Sequence, residues 1–213
     1  VKTFHEALPE TGNGKNRLTH RQDVMKRLIL LRHAKSGWND PGMRDFDRPL
    51  SERGERDAPA IGARLRERGI FPDRIVSSPA VRAARTAELI ADAMNYQRER
   101  IVWKGEIYEA SAGDLLRCIR SMDEADERIL LIGHNPGISD VARRLTGTGF
   151  GDLPTCAAVG IDLNVPAWAE AGDTVGKITF HEHPARLPAL RVSADTFAGD
   201  HPIGKGSERT HDP

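Results

Sequence analysis

Cysteine is nearly absent: Cys118 and Cys156 are the only two in 213 residues, far apart and without CxxC spacing. That argues against a disulfide-stapled scaffold or a cysteine metal site, and both thiols are read as small buried hydrophobes. Net charge is absent too, since Lys+Arg and Asp+Glu both number 31. A general nucleic-acid binder would carry a basic excess, so none is expected, although a local basic pocket is still allowed. No apolar run reaches the length of a membrane span, and the N-terminal segment has no signal-peptide apolar region. No membrane partner is therefore expected, and the cytoplasm is the expected location. Internal repeats are also lacking.

What is present fits one α/β domain. Hydrophobic residues make up 38% and charged residues 29%, the balance of a globular chain long enough to bury a core. Residues 1–25, with Pro9, Gly12 and Gly14 among scattered polar residues, read as a flexible leader. Residues 198–213, with Gly199, Pro202, Gly204 and Gly206, read as a flexible tail, leaving a domain over 26–197.

Within that domain strand and helix signals alternate. Leu28-Ile29-Leu30-Leu31 is an apolar run of the kind buried in a parallel sheet, and it stops at Arg32-His33. After a polar loop, Ser51 reads as an N-cap for a helix carrying Ala58, Ile61 and Leu65, with Gly69 as its stop. Pro59 inside that pattern predicts a kink or a later start. Ile75-Val76 predicts a short strand, and Ser77-Ser78-Pro79 then supply a helix N-cap and a proline at N1. The helix that follows is expected to bury Val81, Ala84, Ala87 and Ala91. Ile101-Val102-Trp103 and Ile129-Leu130-Leu131-Ile132 are further strands, and helical stripes run through Leu115–Met122 and Ile138–Leu145. Two alternating segments, Ala157–Val165 and Lys177–His181, predict edge or antiparallel strands. Together these describe a three-layer α/β/α sandwich with a mostly parallel central sheet.

The chemistry gathers at strand ends. Two apolar strands end in histidine, at His33 and His134, and a third feeds a helix whose first turn carries Arg82. Open α/β sheets bind ligands at the carboxyl edge of their strands. If the three strands are neighbours, two histidines and two arginines converge there, an arrangement that is costly without an anion. Arginine's planar fork makes phosphate the matching ligand. Other features have plain structural readings. His181 and His183 alternate on one face without further metal ligands. Arg64, Arg66 and Arg68 form a solvated helix face, and Gly147–Gly151 follows a helix, not the strand that a nucleotide loop requires.

Leu31-Arg32-His33-Ala34, Ser77 through Glu88 and Gly133-His134-Asn135-Pro136 resemble the three signatures of the histidine phosphatase superfamily, which contains the phosphoglycerate mutases. Arg32 through Ser36, with Asp45 through Gly54, is most similar to its small bacterial phosphohistidine-phosphatase branch. The resemblance implies a phosphoglycerate mutase-like fold and hydrolysis through a covalent phosphohistidine. His33 would be the nucleophile, Arg32 and Arg82 would hold the phosphoryl oxygens, and His134 would complete the pocket and stabilise charge. A carboxylate after the third strand would act as general acid, with Glu106 the best positional match and Glu109 the second. The resemblance calls for no metal and no other cofactor. The expected partner is a phosphorylated protein, foremost one carrying phosphohistidine. The alternatives are a phosphatase or mutase of small sugar or acid phosphates, and a phosphate-recognition module without turnover.

Overall fold

The structure is a computed structural model that describes residues 25–37 and 42–186. Apart from Met25, the expected leader lies outside the described residues, and so do the tail and the end of the domain expected at 197.

Among the described residues six strands form one sheet: β1 (Lys26–Arg32), β2 (Arg74–Ser77), β3 (Val102–Trp103), β4 (Arg128–Gly133), β5 (Ala158–Leu163) and β6 (Gly176–Glu182). Their order is β3-β2-β4-β1-β5-β6. The first four in the chain are parallel, β5 runs antiparallel to β1, and β6 antiparallel to β5. The sheet is therefore mostly parallel, with the antiparallel pair expected from the late alternating segments.

The near-continuous apolar run of β1 is explained by cover on both faces. Side chains alternate across a strand, so Leu28 and Leu30 face one core and Ile29 and Leu31 the other. The first core is closed by α3 (Ala112–Arg120) and α4 (Gly137–Thr146), through Leu115, Ile119, Ile138 and Val141. The second is closed by α1 (Glu52–Glu67) and α2 (Val81–Ala93), through Ile61, Leu65, Ala87 and Ile90. Cys118 and Cys156 are buried and unpaired, one in each core.

Three local expectations are corrected. Helix α1 starts at Glu52, where the Ser51 hydroxyl accepts from the Gly54 amide, and it continues through Pro59. Pro59 does not move the start, because burial of Ala58, Ile61 and Leu65 and the Ser51 cap outweigh one missing hydrogen bond. Helix α2 begins at Val81, so Pro79 is not at N1, and the N-cap is Ala80 without a side-chain bond. Its buried stripe is Arg82, Ala83, Thr86, Ala87, Ile90 and Ala91, while Val81 is exposed. Small alanines give a weak periodic signal, and the inward face begins with a guanidinium instead of a valine. The Gly69 stop is as expected, with φ +72° in the left-handed region and Ile70 N–H bonded back to Leu65.

Candidate active site

The sheet order makes β2, β4 and β1 adjacent, and their register aligns the three ends that carry chemistry. Arg32 pairs with Gly133 and Ser77 with Ile132. Beyond the ladder, the His33 amide donates to the Gly133 carbonyl at 3.0 Å and the Ser78 amide to the Ile132 carbonyl at 3.1 Å. His33 and His134 are thereby held with ring centroids 5.0 Å apart, at 8% and 7% exposure.

The His33 ring is oriented from both sides. Nδ1 lies 2.7 Å from the Ala34 carbonyl oxygen, which can only accept, so Nδ1 carries the proton. Nε2 is left with its lone pair, and the Nε–H of Arg82 approaches it at 3.3 Å. Thr86 supports this arrangement from α2: its hydroxyl accepts from the Ala34 amide at 3.0 Å and donates to the Arg82 carbonyl at 2.6 Å. Burial pushes the His33 imidazole down to about 4; the Ala34 carbonyl opposes the shift, and Arg82, Arg32 and Arg48 reinforce it. His33 is therefore neutral and nucleophilic at physiological pH.

His134 is also held neutral, down to about 3, by burial first and then by His33, Arg82 and Arg32, with Asp45 opposing. Its Nε2 lies 2.9 Å from the Ser78 hydroxyl oxygen. Because α2 starts later than the sequence suggested, Ser78 is no helix cap, and its hydroxyl is spent on His134 and the Ala80 amide. Arg32 Nη1 donates to the Leu153 carbonyl. Among the described residues, two buried polar atoms here find no hydrogen-bond partner, Arg32 Nε and His134 Nδ1. An unmet buried polar group costs about 1–3 kcal/mol, so a phosphoryl group whose oxygens reach them would recover that cost on binding.

Glu106 is the expected site residue that the structure does not bring to this cluster. It sits in the 3-10 turn Gly105–Ile107, where Ile107 fills the core against Gly133. That anchoring turns Glu106 outward to 55% side-chain exposure, where it accepts from Lys104 Nζ at 3.1 Å and neighbours Cys118. Glu109, the second candidate, interacts with the Tyr108 phenol.

Several site residues escaped the sequence reading. Asp45 accepts from Arg82 Nη2 at 2.8 Å, Arg48 Nη1 at 2.9 Å and Tyr108 Oη at 3.1 Å. Tyr108 stands edge-on to His134, with centroids 5.5 Å apart, and to Phe46 at 5.1 Å. Asp47, two residues on, pairs instead with the exposed Arg44. Ser36 accepts from Arg48, and Asn135 bonds Leu153 and Ser139, so both hold loops in place. Arg85 pairs with Glu55 and Glu88.

Away from the site, His181 and His183 lie 5.7 Å apart. Among the described residues no group of three or more His, Cys, Asp or Glu is placed to hold a metal. No described helix is long and apolar enough to cross a membrane.

Comparison with known proteins agrees with this geometry. The family model of the histidine phosphatase superfamily (branch 1) matches residues 28–128. An uncharacterized chloroplastic protein of Arabidopsis thaliana is 34% identical over 156 residues, covering 70% of this chain and 71% of that protein. A crystal structure from Agrobacterium tumefaciens, provisionally named phosphohistidine phosphatase SixA, is 30% identical with a TM-score of 0.63. That match covers 75% of this chain and 98% of the other. The mitochondrial serine/threonine-protein phosphatase Pgam5 of Drosophila ananassae is 38% identical over 77 residues, 36% of this chain but only 26% of its own length. With its paired histidines and arginines at three adjacent strand ends, the chain belongs to the histidine phosphatase superfamily.

Proposed function

We propose that the protein is a phosphatase that hydrolyses phosphohistidine on a signalling or phosphotransfer protein, through a covalent intermediate on His33. The observation that carries this reading is the His33 ring: Nδ1 is tied to a carbonyl, which leaves the lone pair on Nε2, where it accepts from the Arg82 Nε–H. Nε2 attacks phosphorus in line, the bond from phosphorus to the substrate imidazole breaks, and that imidazole, protonated on its other nitrogen, takes the bonding pair and leaves as the neutral ring. Water then attacks the phosphorus on His33, releasing inorganic phosphate and restoring the neutral ring. Arg32 and Arg82 hold the oxygens, and His134 takes up charge as it develops. The incoming phosphoryl charge opposes the desolvation that keeps His134 neutral.

Glu106 supports this choice of substrate by its position. An alkoxide leaving group needs a proton, whereas an imidazole, with a parent pKa of about 6.5, is far less demanding. A pocket whose expected acid is turned toward Lys104 is suited to the second. A second reading, hydrolysis of a small sugar or acid phosphate, is favoured by Glu109, whose carboxylate interacts with Tyr108, the ring that stands edge-on to His134.

The test compares kcat/KM on a phosphohistidine-bearing protein with a panel of small phosphomonoesters. Preference for the phosphohistidine protein by at least an order of magnitude is expected. Clear preference for small esters would replace this reading with the second one.

A further inference from the structure

The phosphoryl pocket contains a carboxylate of its own. Asp45 lies in the 3-10 turn Asp45–Asp47 between β1 and α1. Its side chain takes hydrogen bonds from Arg82, Arg48 and Tyr108, and its backbone carbonyl takes a further one from Arg82 Nη1. Each nitrogen of the buried Arg82 guanidinium thus has a partner, Nε on His33 and Nη1 and Nη2 on Asp45, and two of its five N–H groups remain for a phosphoryl oxygen. The Asp45 carboxylate is 41% exposed, so burial does not force this pairing; solvent was available to it. Partial burial raises the Asp45 carboxyl, but the bonds from Arg48, Arg82 and Tyr108 outweigh it and bring it down to about 2. It is therefore a permanent anion at working pH.

Charge arithmetic gives this anion a consequence. Arg32, Arg48 and Arg82 supply three positive charges beside two neutral imidazoles, since all three act on His33. Asp45, paired with Arg48 and Arg82, offsets one of these charges, while Asp152 acts on Arg32. Without Asp45 the pocket would hold its product, inorganic phosphate, more tightly than turnover requires, because only binding that is stronger in the transition state speeds the reaction.

We propose that Asp45 is a positioning residue and internal counter-anion, which fixes Arg82 against His33 and limits how tightly the pocket holds free phosphate. The proposal rests on the phosphoryl-pocket reading above. It separates two effects that a purely structural carboxylate would merge. Loss of the charge weakens the hold on Arg82, which lowers kcat, yet strengthens phosphate binding.

The experiment measures the dissociation constant of inorganic phosphate by titration calorimetry on the full chain, beside kcat, for wild type, Asp45→Asn and Tyr108→Phe. Asp45→Ser serves the same comparison if the amide variant misfolds. Asp45→Asn is expected to bind phosphate about tenfold tighter while kcat falls. Tyr108→Phe removes one hydrogen bond to Asp45 but keeps its charge, and its phosphate affinity is expected to stay within about twofold of wild type. Unchanged or weaker phosphate binding by folded Asp45→Asn overturns the proposal while leaving the pocket reading intact. Wild-type protein that binds no phosphate overturns the pocket reading, and this proposal with it.

Discussion

Arg82 Nε stands 3.3 Å from His33 Nε2, so the lone pair of the imidazole meets a guanidinium from the first turn of a helix. The contact joins β1 to α2, and a fixed cation beside the imidazole favours its neutral, reactive form. In the proposed mechanism the same cation receives a phosphoryl oxygen as Nε2 attacks.

Thr86 is the hinge of that arrangement, since its buried hydroxyl serves both the Ala34 amide and the Arg82 carbonyl. Thr86→Val keeps the shape but leaves the Ala34 amide unmet, and should cost about 1–3 kcal/mol of stability. Denaturant unfolding measures the loss. Thr86→Ser, which restores the hydroxyl, should recover most of it.

Stability should depend on pH through the two histidines. Both have folded values below the ordinary 6.5, His33 at about 4 and His134 at about 3, so the unfolded chain binds more protons in that interval. The contribution of the neutral rings is fully present above about pH 6.5 and is lost as pH falls toward 4 and then 3. Thermal unfolding of wild type between pH 7.5 and 4.5 should show a falling midpoint. A double variant, His33→Gln with His134→Gln, should show a clearly flatter dependence over that range.

Glu106→Gln tests the leaving-group argument. Because the carboxylate pairs with Lys104 at the surface, the variant should keep kcat on phosphohistidine within about threefold of wild type. A general acid essential to the step would instead contribute a factor of about a hundred or more.

Gly54 reports on how the loop after β1 is closed. A Cβ there would stand 2.2 Å from the Lys35 carbonyl oxygen, two residues beyond His33. Gly54→Ala must push the start of α1 off that backbone, so a destabilisation of about 1–3 kcal/mol is expected, with activity falling in parallel. Chemical unfolding and steady-state rates check both.

The parts of the site legible in the sequence were those fixed by a strand and its end. Arg32-His33 and His134 each follow a continuous apolar run, and such a run places its last residues at the carboxyl edge of the sheet. Arg82 was legible through its motif, although the helix face that carries it was misjudged by a residue because alanines dominate the stripe. Asp45 was not legible. In the sequence it differs little from Asp47, and only the folded loop sends one to Arg82 and the other to Arg44. Tyr108, one of two tyrosines, lies between Glu106 and Glu109, and nothing in that local pattern marks a ring that packs against His134 from another strand end. Ser78 was hidden by a good capping signal that the later helix start left unused.

The central claim is that phosphate passes through Nε2 of His33. Rapid-quench trapping with a radiolabelled phosphohistidine protein as donor measures this directly. Wild type should accumulate an acid-labile, alkali-stable phosphoenzyme on His33 within one turnover, and His33→Ala should form none and release no phosphate. Label retained on the folded His33→Ala protein, or undiminished phosphate release by it, would contradict the account.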